Sequence, residues 1–250
     1  MITEYSQKPS AIQKRDPRVL LVAATGAAFC FSFVQNLFPS CLCLAFALLL
    51  ATVSGLDALP LLKRLAVANV FILFIWLTVP LTMPGESLAT FGPFSWSKEG
   101  VRLALLVTIK CNAILLAFFA LVAGIGLPRI GCALERLFVP AKLVFLFLFT
   151  CRYIHVIGEE WQRLQTAAKL RGFVPRNSFH TYKTIADMLG LTFINAVDRS
   201  RRIYEAMLLR GFAGTFHTVS ELRRTPADIC FLLLFFLVVG SILFLDRYLK

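Results

Sequence analysis

Five apolar runs, at 19–38, 41–55, 66–81, 100–126 and 227–245, leave this chain few ways to fold. Hydrocarbon offers no water to a peptide N–H or C=O, so an apolar run of membrane length must close its own hydrogen bonds as a helix. A soluble core is excluded by composition. Hydrophobic residues make up 58% and charged residues 16%, with a mean hydropathy of +0.75, whereas a soluble domain is nearer half apolar and a quarter charged. The first run is longer than the core of a secretory signal and lacks a cleavage site, so it reads as a span. The expected fold class is an all-α integral membrane protein, with about five transmembrane helices and a cytoplasmic domain of long amphipathic helices.

The placement of charge orients the spans. The net charge is +12, and the cations stand between the apolar runs. Residues 1–18 are polar and basic, Lys63-Arg64 follows the second run, and 127–225 carries fifteen Lys and Arg against seven acids. Excess cations mark cytoplasmic segments. The connector 82–99, rich in Gly, Pro, Ser and aromatics, belongs outside. Three stretches are therefore expected: 1–126, a cytoplasmic N-terminal segment with helices one to four; 127–225, cytoplasmic helices; and 226–250, a final span with a short outer tail. The protein is expected in the cell inner (plasma) membrane as a multi-pass chain in contact with lipid. No soluble basic face of the kind that binds nucleic acid is present.

Metal and redox chemistry find little support. The seven cysteines (Cys30, Cys41, Cys43, Cys111, Cys132, Cys151, Cys230) include no Cys-x-x-Cys, and no histidine is spaced to join them. His155, His180 and His217 are isolated, and His155 with Glu159 four residues on suggests a surface pair. Lys110, inside the fourth run with Asn112 nearby, is either a structural residue of the bundle or part of a transport path. Pro39-Ser40 is expected to end the first span.

The segment 127–225 contains a short helix between Leu127-Pro128 and Val139-Pro140, then two long ones. The first spans about 142–171, with Leu146, Thr150, Ile154, Ile157, Trp161, Leu164 and Ala168 on one face. Its apolar start is expected in the membrane and its end in water. The second spans about 178–210, interrupted at Gly190. Glu159 with Arg163, Asp198 with Arg202 and Arg201 with Glu205 make i,i+4 pairs. Each helix ends in the same pattern, Ala-x-x-Leu-Arg-Gly-Phe: Ala167 to Phe173, and again Ala206 to Phe212. Arg in a last turn followed by Gly is ordinary helix capping. Capping alone does not explain the shared flanks, whereas two equivalent corners fit a partner with two equivalent grooves. At each corner the guanidinium can grip a carboxylate, Gly permits the turn, and Phe supplies an apolar plug.

These residues carry a family resemblance. Asp16-Pro17-Arg18 before the first span resembles an Asp-Pro-Arg motif, and Ser97-Lys98-Glu99-Gly100 resembles Ser-x-Glu-Gly. Arg152-Tyr153 followed by Glu159-Glu160 resembles an Arg-Tyr…Glu pattern. The stretch from Arg199 to Phe212 resembles a second coupling motif. Together they are similar to the transmembrane T component of energy-coupling-factor (ECF) transporters, the ABC-type importers of vitamins and transition metals, and most of all to its cobalt-type branch. Leu20, where the family has Lys, and Ala123-Gly124-Ile125-Gly126, where it has a Thr-rich stretch, depart from the pattern. The resemblance implies a non-catalytic coupling subunit with no cofactor of its own. Two cytoplasmic ABC ATPase subunits would bind ATP and Mg, and a membrane S component would bind substrate. Arg171, Gly172, Arg210 and Gly211, flanked by Ala168, Leu170 and Leu209, would dock the ATPases. A nickel or vitamin T component is the alternative, with a stand-alone secondary transporter behind it and a membrane enzyme last.

Overall fold

A computed structural model describes residues 15–55, 58–83, 87–91, 94–137, 139–212 and 226–248. The basic stretch through Lys14, with Glu86 and His217, lies outside them. The chain divides into two compact units, Met1–Gly126 with Leu222–Lys250, and Leu127–Glu221.

The first unit is a helical bundle built around one central helix. In chain order it holds α1 (Pro17–Phe33), α2 (Leu37–Val53), α3 (Ala58–Thr82), the hairpin strands β1 (Ser87–Phe91) and β2 (Phe94–Ser97), α4 (Lys98–Val122) and, after the second unit, α8 (Pro226–Tyr248). Helix α4 packs on α1, α2 and α3. Small residues make this close approach possible: Ala23, Ala24 and Ala27 of α1, Ala47 of α2, and Ala104, Ala113, Ala117 and Ala120 of α4 are all buried. Where lipid is as apolar as leucine, such backbone proximity and buried hydrogen bonds hold helices together. Phe31 and Phe235 fill the larger gaps.

Hydrogen bonds tie the bundle at defined heights. Asn69 and Asn112 exchange amide bonds at 3.2 and 3.0 Å, and Trp76 Nε1 donates to Thr108 Oγ1 at 2.9 Å. Ser54 Oγ at the end of α2 donates to Ala120 O at 2.9 Å. Gly100 presses its α-carbon against the α3 backbone, where an added Cβ would lie 2.7 Å from Pro80 Cα and 2.9 Å from Val79 O. That contact gives Ser97-Lys98-Glu99-Gly100 a packing role.

The Asp-Pro-Arg stretch is a helix start. Asp16 is the N-cap of α1 and accepts from the Arg18 N–H at 3.0 Å, while Pro17, lacking an N–H, takes the first helical position. Asp16 and Arg18 are both buried. Arg15 extends the anchor to α8, donating to Ala227 O at 2.5 Å and reaching Asp228 Oδ1 at 3.5 Å.

Two expectations about the bundle need correction. The first break falls at 34–36, ahead of Pro39-Ser40, and Pro39 sits in the first turn of α2, where a missing N–H costs nothing. Asp246 of α8 makes that break. Its carboxylate accepts the backbone N–H of Gln35 at 3.2 Å and of Asn36 at 2.9 Å, so α1 cannot continue. Ser32 O, left without a helical partner, takes Lys110 Nζ at 3.0 Å. Lys110 thus caps a helix end. The connector 82–99 contains an antiparallel hairpin, pairing Phe91 with Phe94 and Ser87 with Ser97 across a register shift. Second, α3 begins at Ala58 and takes in Lys63-Arg64; the Arg64 guanidinium lies 5.3 Å from the centre of the Phe119 ring.

The second unit comprises α5 (Leu127–Glu135), α6 (Ala141–Leu170) and α7 (Phe179–Leu209). Helix α5 packs on α6, burying Cys132 and Ala133. Gly190 does not interrupt α7: one interior glycine costs ~1 kcal/mol, and the continuous helix outweighs it. Four helices, α3, α4, α6 and α8, are long and apolar enough to cross a membrane, while α1 and α2 are apolar but only 17 residues each. Helix α6 joins the four through its apolar N-terminal half.

Candidate functional site

The two Leu-Arg-Gly-Phe segments fold identically, and local chemistry explains why. Arg171 and Arg210 are the C-caps of α6 and α7. The next residues, Gly172 and Gly211, take φ values of +83° and +77°. A side chain in this left-handed conformation costs ~1–2 kcal/mol, which glycine avoids. In the first corner the Phe173 N–H donates to Ala168 O and the Gly172 N–H to Lys169 O, both at 3.0 Å. In the second, Phe212 N–H donates to Met207 O and Gly211 N–H to Leu208 O, again at 3.0 Å. Each is a complete Schellman motif that satisfies carbonyls the helix would otherwise leave open.

Side chains repeat the match. Leu170 is 84% exposed and Leu209 90% exposed, although leucine ordinarily withdraws from water. Arg171 and Arg210 are exposed beside them, Phe173 and Phe212 are half-buried, and a Cβ at either glycine would meet nothing within 4 Å. Each corner therefore presents an apolar knob, a guanidinium and an open flank. Ala168, half-buried, supplies the accepting carbonyl of the first corner; Met207 has that place in the second.

Helices α6 and α7 are antiparallel neighbours. Phe212, at the end of α7, stacks on Phe145, near the start of α6, with centroids 5.7 Å apart. Further along, Glu160 Oε1 accepts from Asn195 Nδ2 at 2.7 Å and Oε2 from Arg199 Nη2 at 2.8 Å. Between these contacts lies an apolar groove of about 640 Å³, lined among others by Leu146, Phe149, Tyr153, Ile157, Ile203 and Met207. Leu146, Thr150, Ile154 and Ile157 of the expected apolar face line it; Trp161, Leu164 and Ala168 do not. Because the helices run in opposite directions, their C-terminal corners point away from each other.

The expected ion pairs are only partly present. Glu159 meets Arg163 at 3.6 Å, an exposed pair worth a few tenths of a kcal/mol. Among the described residues, Asp198–Arg202, Arg201–Glu205 and His155–Glu159 do not close within 4.0 Å. Sequence reasoning missed the Glu160–Asn195–Arg199 contact, because nearer partners of equal chemistry drew attention first. One signal was available: Glu160 and Arg199 are 39 residues apart, the interval that separates Arg171 from Arg210.

Residues 9–221 match the profile of the family described as CbiQ, cobalt transport protein. The energy-coupling factor transporter transmembrane protein EcfT of Brevibacillus brevis is 24% identical over 224 residues, covering 85% of this chain and 84% of that protein. The protein of the same name from Leuconostoc gelidum subsp. gasicomitatum is 29% identical over 152 residues, covering 56% and 57%.

Proposed function

The chain belongs to the CbiQ family, and from that premise we propose that it couples two cytoplasmic ATPase subunits to a membrane substrate-binding component in an ECF-type importer. It is a transmembrane component and does no chemistry itself; ATP and Mg are held by the ATPases. The one observation that carries the docking role is the pair of matching corners, each with a leucine at least 84% exposed beside an exposed arginine. An arginine flanked by an apolar knob is the kind of anchor that dominates protein interfaces, because a carboxylate in a partner's groove can take it bidentately while the leucine loses water. Two such anchors suit two ATPase subunits.

In this mechanism α6 and α7 act as levers. Closure of the ATPase pair on ATP draws the two arginines along with their grooves, and the rigid helices carry that motion toward the membrane, where it shifts the substrate-binding component. The basic stretches support a cytoplasmic N-terminus and cytoplasmic coupling helices, with the protein in the plasma membrane. The family description supports cobalt ions as cargo. Both curated relatives are named for the energy-coupling factor without a cargo, and a nickel or vitamin system is the second reading.

The test is co-purification. Arg171→Glu combined with Arg210→Glu is expected to abolish retention of the ATPase subunits while the chain still inserts in membranes. Undiminished retention by that double variant refutes the docking role.

A further inference from the structure

We propose that Glu160, gripped by Asn195 and Arg199, is a positioning clasp that fixes the spacing of the two corners so that one chain can hold both ATPase subunits at once. This rests on the docking role given above to Arg171 and Arg210.

The clasp stands at equivalent places in the two helices. Arg171 follows Glu160 by eleven residues, and Arg210 follows Arg199 by the same eleven. At 1.5 Å per residue each corner therefore lies ~16 Å beyond the clasp, in opposite directions along an antiparallel pair. The contact marks the centre of a pseudo-twofold arrangement, and a change of helix crossing there moves both corners equally.

The chemistry suits a fulcrum. Both carboxylate oxygens of Glu160 are engaged, and Asn195 and Arg199 sit one turn apart on α7, so the carboxylate is held along the helix as well as across it. The side chains are only 18% and 38% exposed for Glu160 and Arg199, so water screens the pair less than it does the Glu159–Arg163 pair, at 67% and 79%. On one side of the clasp the helices are separated by the 640 Å³ groove, bridged at its far end by Phe145 and Phe212. The residue 39 positions after Phe145 is Thr184, whose hydroxyl bonds its own helix at His180 O. The position equivalent to Phe145 on the Arg171 side therefore carries no aromatic ring.

The consequence is avidity. When both anchors sit on a frame of fixed span, docking of the second is effectively intramolecular, and that gain vanishes as the span becomes variable. The clasp thus acts on the joint engagement of two ATPases and leaves the affinity of a single corner unchanged.

The experiment uses the full chain in nanodiscs with its partner ATPases, in a background where the seven cysteines are replaced and spin labels are carried at positions 169 and 205. Glu160→Ala is expected to broaden the label-to-label distance distribution at least ~2-fold and to lower ATPase retention ~10-fold, to the level of the single-corner variant Arg210→Glu. The charge exchange Glu160→Arg with Arg199→Glu is expected to restore both. Thermal melting and membrane yield report folding separately, and if Glu160→Ala fails to accumulate, Glu160→Gln carries the same comparison. An unchanged distance distribution and full retention in Glu160→Ala, with retention still abolished by Arg171→Glu plus Arg210→Glu, overturns the clasp and leaves docking standing. Retention that survives the double corner variant instead overturns docking, and with it the clasp's role in holding two ATPases, whatever the distance distribution shows.

Discussion

Replacing Gly172 or Gly211 with alanine tests the corners without touching either arginine. The two glycines have φ of +83° and +77°, and an added methyl would meet no atom within 4 Å. Sterics with neighbours thus contribute nothing, and the whole penalty is the backbone cost of an L-residue in the left-handed region, ~1–2 kcal/mol. Every 1.4 kcal/mol is a factor of ten in an equilibrium. Each Gly→Ala change should therefore lower the population of the intact corner by ~5- to 30-fold relative to its frayed form. Hydrogen exchange reads this directly, because the Phe173 and Phe212 amides are protected by their 3.0 Å bonds to Ala168 O and Met207 O. Protection at Phe173 should fall in Gly172→Ala and at Phe212 in Gly211→Ala, by similar factors, with no change at the other corner. Asparagine, which tolerates this conformation, should lose much less. ATPase retention should follow the same order of glycine, asparagine, alanine. Equal protection in the asparagine and alanine variants, or loss at one corner only, would refute a conformational role for both glycines.

Two further predictions concern the bundle. Asp246→Ala leaves the part-buried N–H groups of Gln35 and Asn36 without their carboxylate, a loss of ~1–3 kcal/mol, and should lower the melting temperature in detergent by ~2–10 °C, with Asp246→Asn intermediate. Gly100→Ala drives a methyl into Pro80 Cα and Val79 O, at ~1–3 kcal/mol; because those atoms are backbone, adding Pro80→Ala should not recover the melting temperature.

The amino-acid sequence by itself determined whatever depends on neighbours within a turn or on the solvent. The apolar runs dictated helices because lipid leaves peptide groups no other partner. Asp16-Pro17-Arg18 started α1 as its residue types require, and each Leu-Arg-Gly-Phe built its corner from hydrogen bonds spanning six residues. Pairings between distant residues were decided only by tertiary structure. Glu160 had Arg163 and other cations close by in sequence, yet it joins Arg199 on the next helix; exposed i,i+4 pairs contribute too little to compete with a contact that packing has brought together. Asp246 ends α1 from 210 residues away, and Lys110 takes the carbonyl this frees. No local pattern encodes such a choice, because many donors and acceptors are chemically equal and topology selects among them. The two corners were visible as words in the sequence, but their opposed directions and equal distance from one clasp come from the antiparallel crossing of α6 and α7.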